Sequence, residues 1–323
     1  PDRAPAPGLR AGRGPHPLTP SAGCQSAWAG ARVEKDFAGT VADMAASPAG
    51  TDRRAVFLDI DGTYADHGDV PPAHAAAVRR AREAGHLVFL CTGRPKSMVP
   101  ARILAAGFDG FVGGAGAYVE VDGAVLADVR FPPEVAQRTV EVLLAHDVAF
   151  VLEAAEALWG PPGVDERMAR HLAPHLRGGE TRPRPFDLLD SLRMTDDLSD
   201  ASFGKVSCVE SPTPIPELAE LIGPEVAALP SSIPDLGVAA GELYLAGMHK
   251  AVGMRIVVEA MGLDPAGVVA VGDGLNDVEM LAEAAVGVAI AGSHPRLLAV
   301  ADRLAAGPAE EGLATLFADL GLL

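Results

Sequence analysis

The sequence predicts an α/β protein, a parallel-sheet core domain that carries an inserted α+β domain. Three observations predict it. From Ala55 onward, short apolar runs alternate with amphipathic helical stretches, the pattern of parallel strands joined by crossover helices. The same alternation returns after Lys250 and continues toward the end of the chain. Between these stretches lies far more chain than the roughly 30 residues a single crossover unit takes. The core is therefore expected over 53–123 and 241–323, the insertion over 124–240, and a tail over 1–52.

The elements follow in order. Residues 1–52 are rich in Pro, Ala, Gly and Arg with no helical or strand period, as expected of a disordered tail. The chain opens on Pro1, so it is read as processed, a fragment, or assigned an upstream start, with Met44 or a nearby codon as the native beginning. The core then begins with the strand "AVFLDID", the helix "PPAHAAAVRRAREAG", the strand "HLVFLCTGR" and a helix around "KSMVPARILAAG". The insertion holds its own helices and strands, among them "PEVAQRTVEVLLAHD", "KVSCVE", "IPELAELI" and "LGVAAGELYLA". The core resumes with the helix "HKAVGMRIVVEAMG", the strand "VVAVGDG", the helix "DVEMLAEAA" and the strand "VGVAI".

Composition narrows the function. The 323 residues are 49% hydrophobic and 21% charged, and no apolar run approaches the ~18 residues of a membrane span, so a soluble protein is expected. Arg53 and Arg54 mimic a twin-arginine signal. Only Ala55 to Leu58 is apolar before Asp59 intervenes, however, where an export signal needs about 7–15 apolar residues. A net charge of −17 argues against nucleic acid and other large polyanions, but one local basic pocket can still hold a small phosphate ester. Cys24, Cys91 and Cys208 are odd in number and far apart, which fits a reducing cytoplasm and no disulfide framework. The oligomeric state is left open.

The chemistry concentrates where strands end. Side chains alternate along a strand, so Asp59 and Asp61 are expected on one side with Ile60 on the other, and Gly62 frees the turn behind them. Asp-Gly alone is a common turn signal. Two further strand ends strengthen the reading: Thr92-Gly93-Arg94 after "HLVFLC", and "GDGLND" after "VVAV", which brings Asp273, Asn276 and Asp277. Ligands of open parallel sheets bind outside the carboxyl ends of the strands. Four carboxylates gathered there would raise one another's pKa unless a cation neutralised them. All-oxygen ligands favour a hard divalent ion such as Mg²⁺. Thr92 offers a hydroxyl and Lys250, near a helix start, a point charge for phosphate.

The ordered set "DIDGT", "TGR", Lys250 and "GDGLNDVEML" resembles the haloacid dehalogenase superfamily of aspartate-nucleophile phosphatases. The later pieces "GVAIAG", "ADRLA" and "EEGLA" resemble its Cof-type subgroup, subclass IIB, so the similarity spans about 53–323. The resemblance implies a Rossmann-like parallel-sheet core with an inserted α+β cap of the C2 type. It also implies Asp59 as the nucleophile forming an aspartyl-phosphate, and Asp61 as the acid for the leaving oxygen and then the base for water. Mg²⁺ would be held by Asp59, the Asp61 backbone carbonyl and Asp273, with Asp277 nearby. Thr92, Gly93, Lys250 and Asn276 would bind the phosphoryl group. The implied substrate is a small phosphorylated metabolite, a sugar phosphate by resemblance, with no nucleic-acid or membrane partner. One departure stands out: relatives carry an Asn-Gly pair where this chain has Ala115-Gly116.

Competing readings fit less well. An EF-hand loop starting at Asp59 would place Thr63 at position 5 and Val70 at position 12, where Asp or Asn and Glu are needed. "GGAGAYV" puts Val119 where a dinucleotide loop wants a small residue. Cys91 lacks the arginine spacing of a cysteine-dependent phosphatase, since position 97 is Ser. His67, His86, His146 and His249 show no ligand spacing, and Trp159 reads as ordinary packing. A phosphomutase of the same superfamily carries a small cap just after the first motif, whereas Asp61 to Thr92 leaves room for one helix and one strand. A catalytically silent binding protein would have lost an acid, yet Asp59, Asp61, Asp273 and Asp277 are all present.

Overall fold

The computed structural model describes residues 53–66, 68–172, 191–230 and 239–323. The expected tail, Cys24 and His67 lie outside the described residues.

The chain first lays down β1 (Ala55–Leu58), α1 (Pro72–Glu83), β2 (Leu87–Cys91), α2 (Ala101–Leu104), β3 (Gly110–Gly113), β4 (Tyr118–Val121) and β5 (Ala124–Asp128). It returns later with α6 (Lys250–Ala260), β12 (Val268–Gly272), α7 (Val278–Glu283), β13 (Val286–Ile290), α8 (Pro295–Leu298), β14 (Arg303–Ala305) and α9 (Gly312–Asp319). These strands form one eight-stranded sheet in the order β14-β13-β12-β1-β2-β3-β4-β5. Pairing is parallel from β14 to β3 and antiparallel through β4 and β5.

Both faces of this sheet are buried, which is why its strands read as continuous apolar runs. Val56, Leu58, Val88 and Leu90 face α1 and α9, meeting Val78, Ala81, Leu316 and Phe317. Their neighbours Phe57, Phe89 and Ala270 face the opposite way and meet Met254 and Val257 of α6 and Met280 of α7. Phe57 and Phe89 are register partners and stack at 4.9 Å.

The second sheet is built from α3 (Pro133–Ala145), β6 (Ala149–Glu153), β7 (Leu158–Gly160), α4 (Val164–Leu172), β8 (Leu192–Met194), β9 (Lys205–Glu210), α5 (Ile215–Ile222), β10 (Val226–Pro230) and β11 (Gly241–Leu245). Its six strands run β10-β11-β9-β6-β7-β8, antiparallel except for β7 with β8. One face packs on α3 and α5 through Leu143, Phe150, Val206 and Leu218. The other face meets Val164 and Met168 of α4 at one end, through Val151 and Val209.

Three sequence expectations shift. β5 belongs to the first sheet, because it forms a hairpin with β4. β11 belongs to the second, paired with β9 and β10, so the chain changes sheets after β5 and after β11 rather than at the expected 123/124 and 240/241. The helix expected around "KSMVPARILAAG" is broken. Lys96–Met98 is a 3₁₀ turn, Val99 is extended at φ −101°, ψ 104°, and α2 has four residues. Pro100 causes the break, since its ring disfavours helical geometry in the residue before it.

Candidate active site

α1, which follows β1, lies on one face of the eight-stranded sheet, and α7, which follows β12, lies on the other. The crevice between their starts is the topological switch point, where open sheets bind ligands. Each site residue sits at its rim. The Asp59 amide donates to the Val271 carbonyl at 3.0 Å, carrying the pairing of β1 with β12 one residue past the strand. Ile60 then drops into the core, fully buried, and its carbonyl accepts the Ala65 amide at 2.8 Å, closing a turn. Gly62 at φ +79° is required twice: the left-handed backbone favours glycine, and a Cβ there would stand 2.3 Å from Asp273 Oδ2.

Asp59, Asp273 and Asp277 each present a carboxylate oxygen within 4.8 Å of the others. Lys250 Nζ, fully buried, donates to Asp59 Oδ1 and to Asp277 Oδ1, both at 2.6 Å. The other Asp277 oxygen accepts the Asp273 and Gly274 amides at 3.1 and 2.9 Å, so this side chain is fixed by backbone and lysine together. Thr63 Oγ1 donates to Asp273 Oδ1 at 3.1 Å. One buried ammonium thus faces three carboxylates. Burial raises the Asp59 pKa well above the ordinary value; Lys250 opposes that, and Asp277 and Asp273 add to it. Burial, followed by Asp277, raises Asp273 to about 6. Burial works against the Lys250 ammonium, yet Asp277 and Asp59 outweigh it and hold its pKa above the ordinary value. Excess negative charge held by oxygen donors suits a hard metal cation. The donor set therefore fits a divalent ion.

The Asp61 carboxylate stays outside this group. It is 49% exposed and accepts from Arg94 twice, at 2.7 Å from Nε and 2.6 Å from Nη2. Strand alternation does not place it beside Asp59, because β1 ends at Leu58 and the turn has begun by Ile60. Among the described residues the structure thus gathers three carboxylates, where the sequence led us to expect four. Thr92 is buried, and its hydroxyl accepts the Arg94 amide at 3.1 Å. A Cβ on Gly93 would lie 3.4 Å from Asn276 Nδ2 and 3.9 Å from Lys205 Nζ, so Gly93 is where the β2 loop, the β12 loop and the second sheet converge. Burial also pushes the Cys91 thiol far above its ordinary pKa, which removes it as a nucleophile.

Sequence reasoning missed three of these residues. Thr63 and Arg94 stand inside the quoted motifs "DIDGT" and "TGR" but were given no role, and Lys205 carries no motif at all. Ala115 is buried with a left-handed backbone, φ 56° and ψ 32°, and Gly116 follows at φ +105° with the His249 carbonyl 2.3 Å from any Cβ. Asn and Gly are the residues that tolerate this geometry, so the Asn-Gly pair of relatives has a backbone rationale that Ala115 lacks.

The family model for haloacid dehalogenase-like hydrolases matches residues 56–317. The chain belongs to that family, and it is a phosphatase. It is 26% identical over 282 residues to "Putative phosphatase YkrA" of Bacillus subtilis (strain 168), covering 84% of this chain and 99% of that one. A solved structure of a protein from Geobacillus kaustophilus HTA426 superimposes with TM-score 0.70 at 26% identity, covering 84% of this chain and all of that one (100%). The fold is also that of the subclass IIB sugar phosphatase BT4131, with TM-score 0.68, 21% identity and coverage of 84% and 100%.

Proposed function

We propose that the protein is a Mg²⁺-dependent phosphomonoester hydrolase that acts on a small phosphorylated metabolite, a sugar phosphate, in the cytoplasm. The reading takes the eight-stranded sheet as a catalytic core and the second sheet as an inserted cap over the site. The observation that carries it is the Asp59–Lys250–Asp277 linkage, with Asp273 in the same 4.8 Å group.

Asp59 attacks phosphorus, the ester P–O bond breaks, and an aspartyl-phosphate forms while the leaving oxygen takes a proton from Asp61. Water then attacks the phosphoryl group, Asp61 receives its proton, and inorganic phosphate leaves as the Asp59 carboxylate is restored. Splitting one displacement into two in this way is the gain of covalent catalysis. Lys250 grips Asp59 through Oδ1, which leaves Oδ2 to attack. Thr92, Gly93, Lys250 and Asn276 hold the phosphoryl oxygens. Asp61 must leave Arg94 to reach the leaving oxygen, since both of its oxygens accept from that guanidinium. Mg²⁺ would be held by Asp59, Asp273 and the Asp61 backbone carbonyl, beside Asp277, and would neutralise charge developing on the phosphoryl oxygens.

The resemblance of the whole motif set to aspartate-nucleophile phosphatases supports this order of events. Phosphate release from a panel of sugar, nucleotide and cofactor phosphates tests the substrate class. Asp59→Asn tests the nucleophile: turnover should vanish on folded protein, and activity above about a hundredth of wild type would remove Asp59 from that role.

A further inference from the structure

The face of the second sheet that carries Val151 and Val209 is divided. Its apolar end is covered by α4. Its other end carries Glu153, Lys205, Ser207 and Glu242, brought to one side by register: Glu153 pairs with Lys205 and Ser207 with Glu242. Lys205 and Glu153 are each 3% exposed, although Lys and Glu are rarely buried so deeply. Lys205 Nζ lies 2.8 Å from Glu242 Oε1 and 3.1 Å from Glu153 Oε2. Ser207 donates to Glu153 Oε1, whereas among the described residues Glu153 Oε2 makes only the ion-pair contact and accepts no aligned hydrogen bond.

This charged end faces the active site. Lys205 Nζ stands 3.9 Å from where a Gly93 Cβ would be, beside Asn276. A cavity of about 20 Å³ opens between the two sheets, lined by Glu153, Lys205 and Gly204 on one side and Pro95, Tyr118 and Asp128 on the other. Its volume suits roughly one water molecule. A leaving group on a phosphoryl group held at Gly93 and Asn276 would lie beside this cluster.

Resting on the hydrolase reading above, we infer that Glu153, Lys205 and Glu242 form a charge filter that admits leaving groups carrying neutral hydroxyls and rejects those carrying a negative charge. The cluster holds one ammonium and two carboxylates. A carboxylate or second phosphate on the substrate meets two like charges, because Lys205 is already paired on both sides. An ammonium on the substrate meets those two carboxylates as well as Lys205, so the net negative charge of the cluster does not bar it. A hydroxyl satisfies both partners, since it accepts from the lysine and donates to Glu153 Oε2, the carboxylate oxygen without an aligned donor among the described residues. A site built around paired polar groups discriminates sharply against a substrate that leaves them unpaired.

Four esters of small size test this in the full chain: glycerol phosphate, phosphoglycerate, phosphoethanolamine and an aryl phosphate as a control for the chemistry. Glycerol phosphate should exceed phosphoglycerate by roughly tenfold or more in kcat/KM, and phosphoethanolamine should not share that loss. Glu242→Gln, isosteric and partly exposed, should raise phosphoglycerate relative to glycerol phosphate several-fold, a ratio that a general loss of activity would not move. Equal kcat/KM for glycerol phosphate and phosphoglycerate in wild type, or an equal loss for phosphoethanolamine and phosphoglycerate, overturns the filter, and that measurement needs no variant. Turnover of the aryl ester without turnover of glycerol phosphate overturns the hydroxyl preference. No release from any ester overturns the hydrolase reading and the filter with it.

Discussion

Lys250 Nζ sits 2.6 Å from Asp59 Oδ1 with no exposure to solvent, and it grips Asp277 at the same distance. A single buried cation therefore holds together the ends of β1 and β12. Removing one member of such a group leaves uncompensated charge in the interior, at a cost of about 3–5 kcal/mol. Lys250→Met should lower the metal-free stability at pH 7.5 by an amount in that range, measured by denaturant unfolding. Adding Asp277→Asn should recover part of the loss. A change below about 1 kcal/mol would mean that the carboxylates find compensation elsewhere.

Proton and metal should compete for the same carboxylates. In the metal-free protein Asp59 and Asp273 titrate above their ordinary value of 3.8, Asp273 at about 6. A raised carboxylate contributes stability that is full below its unfolded-state pKa and fades as pH climbs through the folded one. For Asp273 that window runs from 3.8 to about 6, so the metal-free protein weakens across it. Mg²⁺ binds the ionised form and offsets the loss. The rise in melting temperature on adding Mg²⁺ should therefore be small at pH 5 and large at pH 7.5. An equal rise at both values would separate the metal from these carboxylates.

Much of the site was legible because its residues fall at the ends of apolar runs, and the exit points of parallel strands are fixed by the runs themselves. Asp59, Thr92 and Asp273 needed only that. Asp61 was misplaced because period-two alternation was carried past Leu58 into a turn, where the backbone reverses before the side chain is aimed. The break between Met98 and Ala101 was signalled by Pro100, and the apolar spacing on either side masked it. Glu153, Lys205 and Glu242 were out of reach for another reason. Their meeting depends on the order of strands in the second sheet, β11-β9-β6, and no local pattern encodes that order.

Ala115 offers a test of local strain. An L-residue in the left-handed region costs about 1–2 kcal/mol, against roughly 0.5–1 kcal/mol for the added freedom of glycine in the unfolded chain. Ala115→Gly should therefore raise the unfolding free energy by about 0.5–1 kcal/mol. Ala115→Val should lower it, because a branched side chain tolerates φ 56° poorly. A glycine variant less stable than wild type would show that the Ala115 methyl contributes more by packing than its backbone loses.

The sharpest prediction concerns Asp61, whose proposed proton donation matters in proportion to how poor the leaving group is. An aryl phosphate with an acidic phenol departs almost unaided, whereas a sugar alkoxide must be protonated as the bond breaks. General acid catalysis contributes roughly 10²- to 10⁴-fold, so Asp61→Asn should slow the sugar ester by a factor in that range. The aryl ester should lose distinctly less in the phosphoryl-transfer step. In the proposed second step Asp61 would also be the base for water, and slow dephosphorylation would hide the difference in steady-state rates. Burst-phase or single-turnover rates must therefore be compared. Arg94→Gln is the companion variant, because it removes the guanidinium that holds both Asp61 oxygens while leaving Asp61 in place. It should keep the wild-type ratio of the two ester rates, which Asp61→Asn shifts toward the aryl ester. Equal losses for both esters in the first step of Asp61→Asn would assign Asp61 to structure, with Arg94 as its partner, and the acid would have to come from another residue.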